Sequence, residues 1–175
     1  ICFLARCRFY NRHGHDPDFP SFSEEDLCST FDRWLIPFAR FGGGDVLDEN
    51  LVFSALQSRL SHTQQRQLNT QVPESMTLPS GSRRAIDYSA GQPLLAARLQ
   101  EFFGCTETPQ ICGIPLLLHL LSPAGRPVQI TGDLAGFWQK SYFEVRKELA
   151  GRYPRHYWPD NPLQAAPTAR AKPRQ

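Results

Sequence analysis

The spacing of apolar positions changes character near the middle of the 175-residue chain. In the first part apolar residues recur every three to four positions, the period of a helix with one buried face. Residues 1–12 (ICFLARCRFYNR) read as the end of an amphipathic helix, and His13–Phe22 as a loop punctuated by Pro17 and Pro20. Ser23 has the chemistry of an N-cap. Glu24, Glu25 and Asp26 suit the first turn that follows it, and Phe22 can staple onto Leu27. The stripe Leu27, Phe31, Trp34, Leu35 and Phe38 predicts one helix, stopped by Pro37 and Gly42–Gly44. A second helix is expected from Asp45, with Leu47, Leu51, Ala55, Leu56 and Leu60 inward. Ser61 with Gln64 forms a capping-box pattern that predicts a third helix through Leu68.

Further along, the pattern turns to strands. Met76–Leu78 and Ala85–Tyr88 flank the turn Pro79–Ser82 as a hairpin. Pro93 then reads as the first turn of a helix with Leu95, Leu99, Phe102 and Phe103 inward and Gly104 at its end. Two strands follow, Gln110–Ile114 and Leu116–Leu121, and the turn Ser122–Arg126 leads to a third, Val128–Ile130. A long helix is expected from Asp133, its N-cap, to Ala150. Leu134, Phe137, Trp138, Tyr142, Val145 and Leu149 would share one side of it. Gly136 inside that helix costs about 1 kcal/mol relative to Ala, which suggests another backbone passing close by.

The expectation is therefore an α+β chain. An acidic helical front half packs with a small antiparallel sheet built from hairpins and covered by one long helix, and an extended basic tail completes it. The divisions fall at residues 1–19 (end of an upstream element and loop), 20–72 (helical subdomain), 73–153 (α/β subdomain) and 154–175 (Pro-rich basic tail). The opening Ile1 gives the chain the look of a piece of something longer.

Charge sharpens this picture. The net charge is only +2, yet residues 13–50 hold nine acids against two arginines, and from Arg146 onward seven Arg or Lys face two acids. Arg outnumbers Lys sixteen to three, which favours bidentate contacts to carboxylate or phosphate. Five scattered cysteines, Cys2, Cys7, Cys28, Cys105 and Cys112, follow no framework spacing and point to a reducing, cytoplasmic setting. The longest apolar run, Ile114–Leu121, is far short of the ~20 residues of a membrane helix.

Catalytic signatures are missing from the sequence. It has no GxxxxGK[ST] loop, no GxSxG elbow, no HExxH and no paired CxxC. Cys2, Cys7, His13 and His15 match no common metal spacing, so no metal site is assigned. His119 within an apolar strand reads as an edge or outward position, and Cys105 and Cys112 as small core residues.

The most informative stretch is RKELAGRYPRHYWPDNP. Arg146, Lys147, Arg152 and Arg155 offer charge for phosphates, while Tyr153, His156, Tyr157 and Trp158 offer stacking faces, the combination that single-stranded nucleic-acid binders use. Arg83 and Arg84 at the hairpin add two more cations. On composition alone, a tail pinned to its own domain through Tyr153 and Trp158 accounts for the same residues.

The run SPAGRPVQITGDLAGFWQKSYFEVRKELAGRYPRHYWPDNP, with LPSGSRRAIDYSAGQPLLAARLQEFFG before it, closely resembles the C-terminal region of HrpB-type bacterial ATP-dependent helicases of the DEAH/DExH-box class. The SEEDL…WLIPF and QQRQL segments are similar too, so the resemblance covers about residues 20–175. It implies an ATP-dependent RNA helicase as parent, with nucleotide and magnesium handled by RecA-like domains upstream and no cofactor or catalytic residue in this chain. Expected partners are RNA or another nucleic acid, held by Arg83, Arg84, Arg146, Lys147, Arg152, Arg155 and Trp158, and the helicase core domains. The alternative is a protein-interaction or intramolecular docking module that meets a basic surface through Glu24, Glu25, Asp26 and Asp32.

Overall fold

The structure, a computed structural model, describes residues 2–41 and 48–170, with the side chains of residues 39–41 set aside. It divides into two compact units, residues 1–73 and 74–175.

The first unit is helical. Helix α1 (Cys2–His13) buries Arg6, Cys7, Phe9 and Tyr10. The loop that follows is tied back onto it. Arg8 Nε donates to the Phe22 carbonyl (2.7 Å), Asn11 Nδ2 donates to that of Pro20 (3.1 Å), and Asn11 Oδ1 accepts from the Phe22 amide (3.3 Å). Phe19 and Phe22 are thereby buried against Tyr10 and Phe3.

Ser23 caps the next segment as expected, accepting from the Asp26 amide at 3.1 Å. The segment itself differs from the single helix expected. It forms three short helices, α2 (Glu24–Ser29), α3 (Phe31–Trp34) and α4 (Ile36–Phe41), and Pro37 lies inside the last of them rather than ending it. Proline is compatible with a first helical turn, whose N–H groups have no partner within the helix. Gly42–Gly44, Asp45 and Leu47 lie outside the described residues. Helix α5 (Glu49–Gln57) opens with Asp48 as its cap, accepting from the Leu51 amide at 2.7 Å. The Ser61–Gln64 capping box is formed, and α6 (His62–Gln71) runs three residues past Leu68.

Arg6 lies under the end of α6. Its guanidinium is 2% exposed and donates to the Val72 carbonyl (2.8 Å), to Asn69 Oδ1 (2.8 Å) and, at the limit of bonding distance, to the Leu68 carbonyl (3.5 Å). A cation thus binds the Val72 carbonyl at the helix end, adds to the Leu68 carbonyl that already accepts from the Val72 amide (2.9 Å), and faces the negative end of the helix dipole.

The second unit is built on a five-stranded sheet whose order, in residue ranges, is 75–77, 83–87, 94–98, 117–121 and 127–131. Strands β1 (Ser75–Thr77) and β2 (Arg83–Asp87) form the expected hairpin. Strand β3 (Leu94–Arg98) replaces the helix expected after Pro93, and only a short 3-10 turn, Leu99–Phe102, follows it. Leu-Leu-Ala-Ala-Arg favours a helix intrinsically, but pairing along β6 (Leu117–Leu121) outweighs that preference. The inward set of Leu95, Leu99, Phe102 and Phe103 is nevertheless buried.

The β3–β6 pair is parallel, so the sheet is mixed rather than purely antiparallel. Parallel neighbours need a crossover, and residues 99–116 supply one. Within it the expected strand Gln110–Ile114 is instead a miniature hairpin, β4 (Gln110–Ile111) with β5 (Ile114–Pro115). Its two turn residues, Cys112 (φ 49) and Gly113 (φ 76), both adopt the left-handed conformation such a tight turn requires. Strand β7 (Pro127–Thr131) pairs antiparallel with β6.

The expected long helix is two, α7 (Leu134–Lys140) and α8 (Tyr142–Arg152), with Ser141 (φ −106, ψ −20) between them. Asp133 caps α7, accepting from the Gly136 amide at 2.9 Å. Gly136 is explained by that cap: a Cβ there would collide with the Asp133 carboxylate, not with another backbone. Leu134, Phe137, Trp138, Tyr142 and Leu149 are buried, with Phe103, Phe137, Trp138 and Tyr142 in mutual ring contact.

Candidate nucleic-acid interface

The residues singled out for nucleic acid fall on the β1–β2 hairpin, on α8 and in the tail. Arg84 points to the sheet side that carries Ile86 and meets Glu101, whose side chain is fully buried. One guanidinium nitrogen, Nη2, donates to both carboxylate oxygens at 2.9 Å. Glu101 also accepts from the Arg98 amide (3.0 Å) and from the hydroxyls of Ser80 and Ser82. Burial pushes this carboxyl up, but the hydrogen bonds from Ser82, Arg84 and Arg98 and the arginine's charge more than reverse that. The group is held below the ordinary glutamate value. Arg84 therefore ties the hairpin to the 3-10 turn. Arg83, on the opposite face of β2, is exposed, and its Nε donates to Ser75 Oγ across the strand pair.

The tail folds back onto its own unit. Trp158, Pro159 and Pro162 are buried. The Trp158 indole N–H donates to the Tyr153 carbonyl (3.0 Å), and the Tyr142 hydroxyl donates to that of Pro159 (2.8 Å). Desolvation is the main cause that drives the Tyr142 hydroxyl well above its usual pKa. Gln100 clasps the segment along its length. It takes the Thr168 amide on its carbonyl (2.9 Å), donates Nε2 to the Tyr157 carbonyl (2.9 Å) and shares a hydrogen bond with His156 Nδ1 (3.2 Å). Burial foremost, then the charge of Arg98, pushes the His156 imidazole down. Further ties run from the Gly104 amide to the Pro162 carbonyl (2.9 Å) and from Arg98 Nη1 to that of Ala169 (2.8 Å).

Of the tail cations, Arg146 binds the Trp158 carbonyl (3.0 Å) and Asp160 (2.6 Å). Arg152 makes a loose surface pair with Glu148 at 3.4 Å. Lys147 and Arg155 are exposed. The structure thus places Arg84, Arg146 and Trp158 in internal contacts and leaves Arg83, Lys147, Arg152 and Arg155 at the surface.

Gln100, Glu101 and Arg6 carry much of this architecture and were not singled out in the sequence. The signal was two polar residues inside the apolar run LQEFFG, hidden by reading that run as a helix. Of the two positions expected for His119, the edge is ruled out because β6 lies between β3 and β7, and the outward one holds: His119 is half-buried on the face opposite Leu118 and Leu120. None of the five cysteines is in a disulfide. Burial pushes the Cys7 thiol up to about 12 and also raises Cys105 and Cys112. Among the described residues no group of three or more His, Cys, Asp or Glu could hold a metal ion, and no helix is long and apolar enough to cross a membrane.

A cleft of about 660 Å³ lies beside the start of α7, lined in part by Thr106, Glu107, Thr108, Gln110 and Asp133. Two of its polar groups are already engaged with the helix. Thr108 Oγ1 accepts from the Leu134 amide (2.9 Å) and Asp133 from that of Gly136.

A mixed sheet, then a broken helix and a clasped tail, with a helical unit before them in the chain, make up a sequence similar to an ATP-dependent helicase C-terminal region. Residues 34–162 match the family of that description, HrpB_C, and the chain belongs to it. It is 43% identical over 162 residues to the ATP-dependent RNA helicase HrpB of Escherichia coli strain K12, covering 89% of this chain and 20% of that protein. The crystal structure of the E. coli DExH-box NTPase HrpB superposes with a TM-score of 0.87 at 39% identity, over 97% of this chain and 22% of that one. A crystal structure of the E. coli DEAH/RHA helicase HrpB gives 0.71 at 36% identity, over 90% and 20%. The chain spans about a fifth of the length of these relatives.

Proposed function

We propose that this chain serves an ATP-dependent RNA helicase as a folded docking module, acting through protein contacts within the helicase rather than by gripping RNA itself. The observation that carries this reading is the tail. Its one tryptophan is buried, and Arg146 is turned inward to hold the Trp158 carbonyl. A stacking platform needs an open ring face, and a phosphate contact needs an uncommitted cation. Nucleotide and magnesium chemistry falls, on this reading, to the remainder of the helicase.

The test is fluorescence anisotropy of a labelled single-stranded RNA titrated with the chain at low salt. The expected result is no saturable binding. A second reading keeps direct nucleic-acid contact and is favoured by the exposure of Arg83, Lys147 and Arg155. Three such cations would make log affinity fall against log salt with a slope of about −2, at roughly −0.7 per phosphate. A slope of that size, flattened by Arg155→Ala with Lys147→Ala, would establish the second reading over the first.

A further inference from the structure

We draw no further inference here: the strongest candidate, the face of the second unit's sheet where half-buried His119 pairs with the exposed Ile130, has nothing in the structure to show what covers it.

Discussion

Replacing Glu101 by Gln removes one charge and almost no volume, yet it should be among the most damaging single changes in the second unit. The carboxylate accepts from Arg84, from the Arg98 amide and from two serine hydroxyls, and it is fully buried. An amide in its place offers one acceptor oxygen and turns an NH2 group toward groups that themselves donate. Hydrogen bonds to charged groups contribute about 1.5–3 kcal/mol each, and breaking a buried pair from one side costs about 3–5 kcal/mol. Arg84 is 36% exposed and can recover part of its hydration, which places Glu101→Gln near the lower figure, about 3 kcal/mol. With a urea dependence of about 1–3 kcal/mol per molar, the unfolding midpoint should fall by about 1–3 M at neutral pH.

The pH dependence supplies a second check. The folded carboxyl is held below its unfolded value, so its stabilisation is complete above the unfolded value of about 4.3 and is lost as pH falls through the folded one. Wild type and Glu101→Gln should therefore differ most at neutral pH and converge in acid. A midpoint shift under about 0.3 M at pH 7, or a gap that persists unchanged in acid, would refute the account of Glu101 as the anchor of the hairpin.

Further expectations concern both units. Arg6→Ala should cost about 3 kcal/mol in thermal or urea melts and speed hydrogen exchange at the end of α6, since it strips a buried cation from the Leu68 and Val72 carbonyls. Phe137→Ala, at a side chain 3% exposed, should cost about 3–5 kcal/mol, and an unchanged urea midpoint would count against its place in the core. Trp158→Ala should lower stability by a similar amount and release the tail to limited proteolysis, while leaving any RNA affinity unchanged. The purified chain should show no ATP turnover above a buffer control, with or without RNA; turnover that tracks the protein through purification would contradict that.

What the sequence determined by itself was local. Ser23, the Ser61–Gln64 box and Asp133 each announce a helix start, because an N-cap needs only the residues two or three places on. The hairpin 75–87 was legible for the same reason, its partners lying within one short turn. The family too was legible, since a long run of Trp, Tyr and Pro in fixed order is specific without any structure.

Tertiary structure decided the rest, wherever the partner lay far along the chain. Leu94–Arg98 is helical by composition and becomes a strand because Leu117–Leu121 lies beside it, more than twenty residues away. The stripe Leu27, Phe31, Trp34, Leu35 and Phe38 has helical spacing, yet the segment breaks into three short helices, and how far it is buried depends on what the fold brings over it. The fate of the basic tail turned on Gln100, Arg98 and Gly104, which meet it from 56 to 71 positions upstream. A cation's role depends on whether a carboxylate such as Glu101 has been carried to it. That depends on chain closure over tens of residues, which no periodicity within a short window encodes.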